Sequence, residues 1–373
     1  MMMPFFELIR VALGVQTFLS RSLLERDWGE LYKLAEKQSL VGICFTGLQY
    51  LGADADDGFE KIGMSEMQYL DWMADAATLH EKNEVMNRRC VELQDKLSES
   101  GMRSSILKGQ GIARYYQCDG EDMSLFRQSG DIDVYVDCGR KKGVEFAHSI
   151  GQDVVEWDYK HLHLNLFDDT PVEVHYRAQV LLNPFKNQRL QKFFKLHEAE
   201  LLGEPVTLCD GSVITAPVGW FNVFYIILHL YHHLFGEGIG LRQLMDLYFV
   251  LKNTELTEDE KSELKSSVEE FGMSKFCAAL MWTLSEAFGP IGNNELWAAD
   301  EKEGRFILDE ALRCGNFGKN DDRYNLSGTG KAARFWTIVR KNTHLLVHYP
   351  GDALAAPLYF VWHFFWKRLN INR

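Results

Sequence analysis

The sequence predicts an α+β protein: a small central mixed sheet flanked by N- and C-terminal helical regions. Two observations carry this. Short alternating or β-rich runs cluster between about residues 103 and 216, and apolar residues at helical spacing fill both sides of that window. The boundaries predicted are 1–102 for an N-terminal helical region, 103–216 for an α/β core and 217–373 for a C-terminal helical region.

The elements follow in order. Residues 5 to 52 read as helices, with LLERDWGELYKLAEKQSL showing apolar positions at helical spacing. Gly52 to Gly58, GADADDG, is an acidic loop that lacks the spacing of a calcium loop. Ser65 to Ser100 is a long helix stopped by Gly101. Ser104 to Leu107 is a short strand, and KGQGIARYYQ after it a helix opening at the glycines. SGDIDVYVD, Ser129 to Asp137, alternates Ile132, Val134 and Val136 with Asp131, Asp133 and Tyr135, the period of a half-buried strand. A helix over 140–150 and strands over 153–158, 161–167 and 171–176 come next. Gly203 to Ala216 is a hairpin turning at Asp210-Gly211. From Pro217 the pattern is helical, with breaks near 253, 290 and 316–330.

Composition narrows the function classes. Forty basic against 53 acidic residues give a net charge of −13, so the basic footprint of a protein that binds long nucleic acid is absent. The seven cysteines, at 44, 90, 118, 138, 209, 277 and 314, include no C-x-x-C pair, which points to a reducing, cytoplasmic setting. Cys118 and Cys138 lie near the central motifs with nothing beside them to activate a thiol. The N-terminal MMMPFFELIRVALG carries Glu7 and Arg10 and reads as an amphipathic helix. The uncharged stretch from Gly211 to Gly236 is interrupted by Asn222, His229, His232 and His233 and reads as a core helix, with no membrane span. The aromatic run ALAAPLYFVWHFFWKRLN is too short to span a bilayer; it reads as core or as an interface, including a homodimer contact.

Two carboxylates on one face of an apolar strand need explaining. Side chains at i and i+2 lie roughly 6–7 Å apart, so Asp131 and Asp133 repel by roughly 2.5 kcal/mol at an effective dielectric of about 20. A positive species is expected between them. Glu173, on the same face as His175 in VEVHYR, adds a third carboxylate, and such hard oxygen donors suit magnesium. Upstream, ILKGQG ends a strand in Lys108 and Gly109 and offers an ammonium with free backbone N–H groups to phosphate.

The order Lys-Gly, then Arg127-x-x-Gly130-Asp131-Ile132-Asp133, then Glu173-x-His175 resembles the uncharacterised nucleotidyltransferase family, part of the DNA polymerase beta-like nucleotidyltransferase superfamily. DWGELYKLAEKQSL and GLRQLMDLYFVL are similar to the helices that flank the family's catalytic domain. The resemblance covers about residues 25 to 255 and is loose in the C-terminal third. It implies a sheet of nucleotidyltransferase type and a metal-dependent transfer of a nucleoside monophosphate from an NTP to an acceptor. Asp131, Asp133 and Glu173 become catalytic metal ligands for two Mg2+ or Mn2+ ions, and Lys108, Gly109, Arg127 and Gly130 become the nucleotide and phosphate contacts. This sequence departs from the superfamily's Gly-Ser or Gly-Gly turn, because Gln110 follows Gly109 and Lys108 precedes it, and the gap from Gly109 to Asp131 is long.

His163, His175, His229, His233 and Arg242 are further candidates for touching substrate. His161, His163 and Asn165 share a strand face that lines the site as a polar sheet surface, with a catalytic base the sharper reading. His229 and His233 lie four apart without the Glu of a zinc-protease helix, and Arg242 and Asp246 stand at ion-pair spacing. The expected acceptor is a small molecule or a protein. Two other functions fit the same residues: a D-x-D glycosyltransferase using a sugar nucleotide, and a non-catalytic nucleotide-binding regulator.

Overall fold

The computed structural model describes residues 2–20, 27–53, 58–118, 120–152, 155–318 and 331–370. At its centre four strands, β1 (Ser104–Leu107), β2 (Ile132–Val136), β3 (His161–Leu164) and β4 (Val172–His175), form one sheet in the order β1-β2-β4-β3. β1 and β3 run antiparallel to their neighbours, whereas β2 and β4 are parallel. The sheet is therefore mixed.

Alternation divides its two faces. Ile106, Ile132, Val134, Leu162, Val172 and Val174 turn one way, into a core shared with Met86, Cys90, Leu93 and Leu97. Those four belong to α4 (Glu66–Glu99), which opens on a Ser65–Gln68 capping box. Phe146 and Ala147 of α5 (Arg140–Ser149) fill the rest. The other face carries the polar groups in cross-strand rows. Leu107 pairs with Asp133, Asp133 with Glu173, and Glu173 with His163; Tyr135 pairs with His175, and His175 with His161. All of β2 is buried, including Asp133 at 2% exposure, so the predicted half-buried strand is covered on both faces.

The helical surroundings are continuous across the two flanking regions. α1 (Met2–Ala12), α2 (Trp28–Gln38) and α3 (Val41–Tyr50) share one apolar cluster with α7 (Gly219–Phe235), α8 (Leu241–Asn253), α9 (Glu258–Glu270) and α10 (Ser274–Phe288). Phe5, Trp28, Phe45, Phe221, Tyr248 and Phe288 are among its members. α6 (Pro184–Leu196), whose start is capped by Asn183, adds Leu190, Phe193 and Phe194 to this cluster, and the predicted hairpin, Glu204–Thr207 with Val213–Ala216, adds Val206 and Ile214 to the core under the sheet. α11 (Glu301–Cys314), α12 (Lys331–Leu345) and α13 (Pro350–Asn370) complete the chain.

Some local expectations change. The helix after Lys108 is a 3-10 turn, Gly109–Tyr115. Gly111 is required there, because a Cβ would stand 2.1 Å from the Ile106 carbonyl oxygen. The predicted strand over 153–158 reduces, among described residues, to one bridge between Trp157 and Leu162. Most of the acidic Gly52–Gly58 loop, residues 54–57, and most of the predicted break at 316–330, residues 319–330, lie outside the described residues. No helix among the described residues is long and apolar enough to cross a membrane. α13 turns Leu354, Leu358, Val361, Trp362, Phe365 and Leu369 outward along one stripe, while Trp362 and Trp366 meet Tyr159 edge-on at 5.0 and 5.3 Å.

Candidate active site

β1 ends at Leu107, and the register sets that residue beside Asp133. The next residue, Lys108, turns sharply at φ +40°, followed by Gly109 at +47°. The turn delivers the Lys108 Nζ to 2.6 Å from Asp133 Oδ2. His175 Nε2 holds the other oxygen, Oδ1, at 2.7 Å and stands 3.3 Å from Glu173 Oε2. Lys108 is thus a positive group of the chain itself, paired with Asp133.

The charges follow from these contacts. Burial opposes the Lys108 ammonium, but Asp133 first and Asp131 second outweigh it and hold its pKa above the ordinary lysine value. Burial likewise opposes ionisation of Asp133, yet Lys108 and the His175 contact hold that carboxyl well below the usual range. Glu173, also working against burial, is pulled down to about 2, chiefly by His175. Asp131 moves the other way: repulsion from Asp133 raises it against the pull of Lys108. Three carboxylates thus face one ammonium and one imidazole, and the cluster retains negative charge.

A cavity of about 370 Å³ opens beside this cluster, within the size of a small-molecule site. Lys108, Gly109, Ser129, Gly130 and Asp131 form one wall; His229, Arg242 and Asn316 form another, with Lys37 and Lys82 at the edge. Burial first, then His233, keeps His229 well below its usual pKa, so its imidazole is neutral. Its Nδ1 lies 3.3 Å from Gln179 Nε2. His233 points instead to Glu237, at 3.2 Å, while His163 stands half exposed on β3, 3.9 Å from Glu173.

Arg127, the phosphate contact that the resemblance implied, lines this cavity and is also held by Asp246. Its Nε and Nη2 donate to the two oxygens of Asp246 at 2.7 and 2.8 Å, with both side chains buried. Asp246 also accepts from the Tyr116 hydroxyl at 2.5 Å, and Arg242, the partner predicted from spacing, stands farther off at 3.5 Å. This clamp ties α8 to the segment leading into β2.

A second brace was missed in the sequence. Asn83 of α4 donates to the carbonyls of Leu79, Leu125 and Arg127, and its Oδ1 accepts from Gln110 and Ser129. It therefore fixes both the turn after Lys108 and the approach to Asp131. The available signal was a polar residue on the buried stripe Trp72, Ala76, Leu79, Asn83, Met86, Cys90. Lys37 and Lys82, solvated positions on helices, carried no signal of their place beside the cavity.

The model of the uncharacterised nucleotidyltransferase family matches residues 25–289. The chain belongs to that family. No curated protein and no solved structure matches it. Family membership supports a nucleotidyltransferase activity. Asp133, Glu173 and His175 each bring one donor atom to within 4.8 Å of the others, a group that could hold a metal ion, and Asp131 stands close enough for the charge of Asp133 to raise its carboxyl.

Proposed function

We propose that the enzyme moves a nucleoside monophosphate from an NTP to a hydroxyl-bearing small molecule or protein in a magnesium-dependent reaction. The observation that carries this is the convergence of Asp131, Asp133 and Glu173 with the Lys108-Gly109 turn beside the 370 Å³ cavity. Asp131, Asp133 and Glu173 would hold one or two Mg2+ or Mn2+ ions. When bound, such ions lower the pKa of an attacking hydroxyl and offset charge on the leaving pyrophosphate.

The chain's own residues supply the rest. Lys108 is a point charge for a phosphate oxygen, and the backbone at Gly109 and Gly130 lines the same wall. Lys37, Lys82 and Arg242 add cationic edges for the triphosphate. The attacking hydroxyl would lose its proton through a metal-lowered pKa or to Glu173, which is ionised at neutral pH. The net charge of −13 argues against a long nucleic acid as acceptor. Seven cysteines without a C-x-x-C pair suit a cytoplasmic setting. The stripe on α13, with spacing i, i+4, i+7, i+8, i+11 and i+15, suits a homodimer contact. Light scattering of wild type against Phe365→Glu tests that contact, with a fall to monomer expected.

The deciding experiment is calorimetric titration of ATP, GTP, CTP and UTP with Mg2+ into wild type and Asp131→Asn/Asp133→Asn. Metal-dependent binding of one triphosphate, lost in the double variant, is the expected result. No triphosphate binding to the folded wild type would sink the reading.

A further inference from the structure

Beside the carboxylates of the transfer site lies a cluster of a different chemical character. His161 and His163, two apart on β3, present their rings to the same sheet face, with centroids 4.8 Å apart. Glu173 on β4 is the register partner of His163. Its Oε2 stands 3.5 Å from His161 Nδ1, and its Oε1 stands 3.9 Å from His163 Nδ1. One ligand atom from each of the three residues falls within 4.8 Å of the others. Ligand atoms around a tetrahedral zinc, each roughly 2.0–2.2 Å from the ion, are separated by roughly 3.4 Å. The distance between His161 Nδ1 and Glu173 Oε2 is already close to that.

Two further features point to a ligand. His161 is only 8% exposed, yet its buried Nδ1 makes no hydrogen bond and faces a carboxylate. A buried ring nitrogen left this way is costly unless something occupies the space before it. The opposite nitrogen, Nε2, faces Asp158 Oδ2 at 3.8 Å, and the other Asp158 oxygen is fixed by the backbone N–H groups of Lys160 and His161. A carboxylate behind an imidazole, with a donor atom in front, is how metal-binding histidines are oriented. His163 is half exposed, which leaves one side of the cluster open to solvent.

We propose that His161, His163 and Glu173 form a second metal site, selective for a zinc-class ion. Two imidazoles with one carboxylate suit zinc and its first-row neighbours, whereas magnesium takes oxygen donors. The proposal does not rest on the transfer reading, although Glu173 belongs to both donor sets and the two ions would compete for it.

The test is titration of ZnCl2 into the full-length protein without nucleotide, together with metal content after dialysis. Wild type is expected to bind one zinc tightly. His163→Ala, at a half-exposed position with little to lose in folding, is expected to weaken that binding at least about tenfold. Asp131→Asn/Asp133→Asn is expected to keep zinc affinity within about threefold. Unchanged zinc affinity in His163→Ala, loss of zinc in the aspartate variant, or no zinc uptake by wild type would each overturn the site. Magnesium-dependent nucleotide binding is measured separately on wild type, and its absence there would strike the transfer reading alone.

Discussion

Replacing Arg127 separates two roles for that residue, phosphate ligand and structural clamp. In the structure its guanidinium forks onto Asp246 through two bonds of 2.7 and 2.8 Å, with the side chains only 5% and 7% exposed. Arg127→Ala strands a buried carboxylate, and breaking a buried pair in this way costs about 3–5 kcal/mol. The Tyr116 hydroxyl and Arg242 at 3.5 Å stay with Asp246, which puts the expected loss near the low end, about 3 kcal/mol. Arg127→Met/Asp246→Leu removes both charges and is expected to lose far less than the two single changes added together. Urea unfolding measures both quantities. The second readout is magnesium–ATP titration of Arg127→Lys, which keeps the charge but not the fork. A clamp predicts lower stability with nucleotide affinity within about threefold of wild type. Arg127→Ala that is stable to within about 0.5 kcal/mol while triphosphate affinity collapses would refute the clamp and restore the phosphate role.

Three other outcomes follow from single contacts. Asn83→Ala removes two donors to the carbonyls of Leu125 and Arg127 and the acceptor for Gln110 and Ser129; a loss of roughly 2–3 kcal/mol is expected, with faster amide hydrogen exchange confined to residues 109–113 and 124–131. Gly111→Ala drives a Cβ into the Ile106 carbonyl and is expected to cost at least about 2 kcal/mol by urea midpoint, whereas Gly130→Ala, with nothing within 4 Å of the added carbon, is expected to be neutral. Burial alone would raise Asp246, but Arg127 holds its folded pKa below the ordinary value. Its contribution is therefore complete above the unfolded pKa near 4 and disappears as pH falls through the folded one. Urea midpoints between about pH 6 and 3 are expected to fall more steeply for wild type than for Asp246→Asn.

What the sequence disclosed was local. The alternation of Ile132, Val134 and Val136 located β2, because period 2 is a property of the strand alone, although the strand starts after Asp131. The helical stretch from Ser65 and the stop at Gly101 bounded α4 for the same reason. Sheet order was not legible: β4 lies between β2 and β3 and runs parallel to β2, which only packing against α4 and α5 decides. The site divided along the same line. The i, i+4 spacing disclosed Arg242 with Asp246, yet the stronger partner, Arg127, is 119 residues away in sequence. The charge conflict at Asp131 and Asp133 was legible from two positions one residue apart; the pairing of Lys108 with Asp133 was not.

That pairing also explains the most strained backbone near the site. Lys108 adopts φ +40° and ψ −159°, a conformation few residues with a Cβ take, and such outliers cost roughly 1–3 kcal/mol. The strain persists because three constraints meet at one residue. β1 must end at Leu107 to pair with Asp133, Gly111 must pass against the Ile106 carbonyl, and the ammonium must reach a carboxylate that is 2% exposed. A glycine would relieve the turn and remove the cation, leaving Asp133 to face Asp131 and Glu173 with only His175 as a partner. The ion pair at 2.6 Å offsets the strain, so the turn and the electrostatics of the carboxylate cluster are one structural feature.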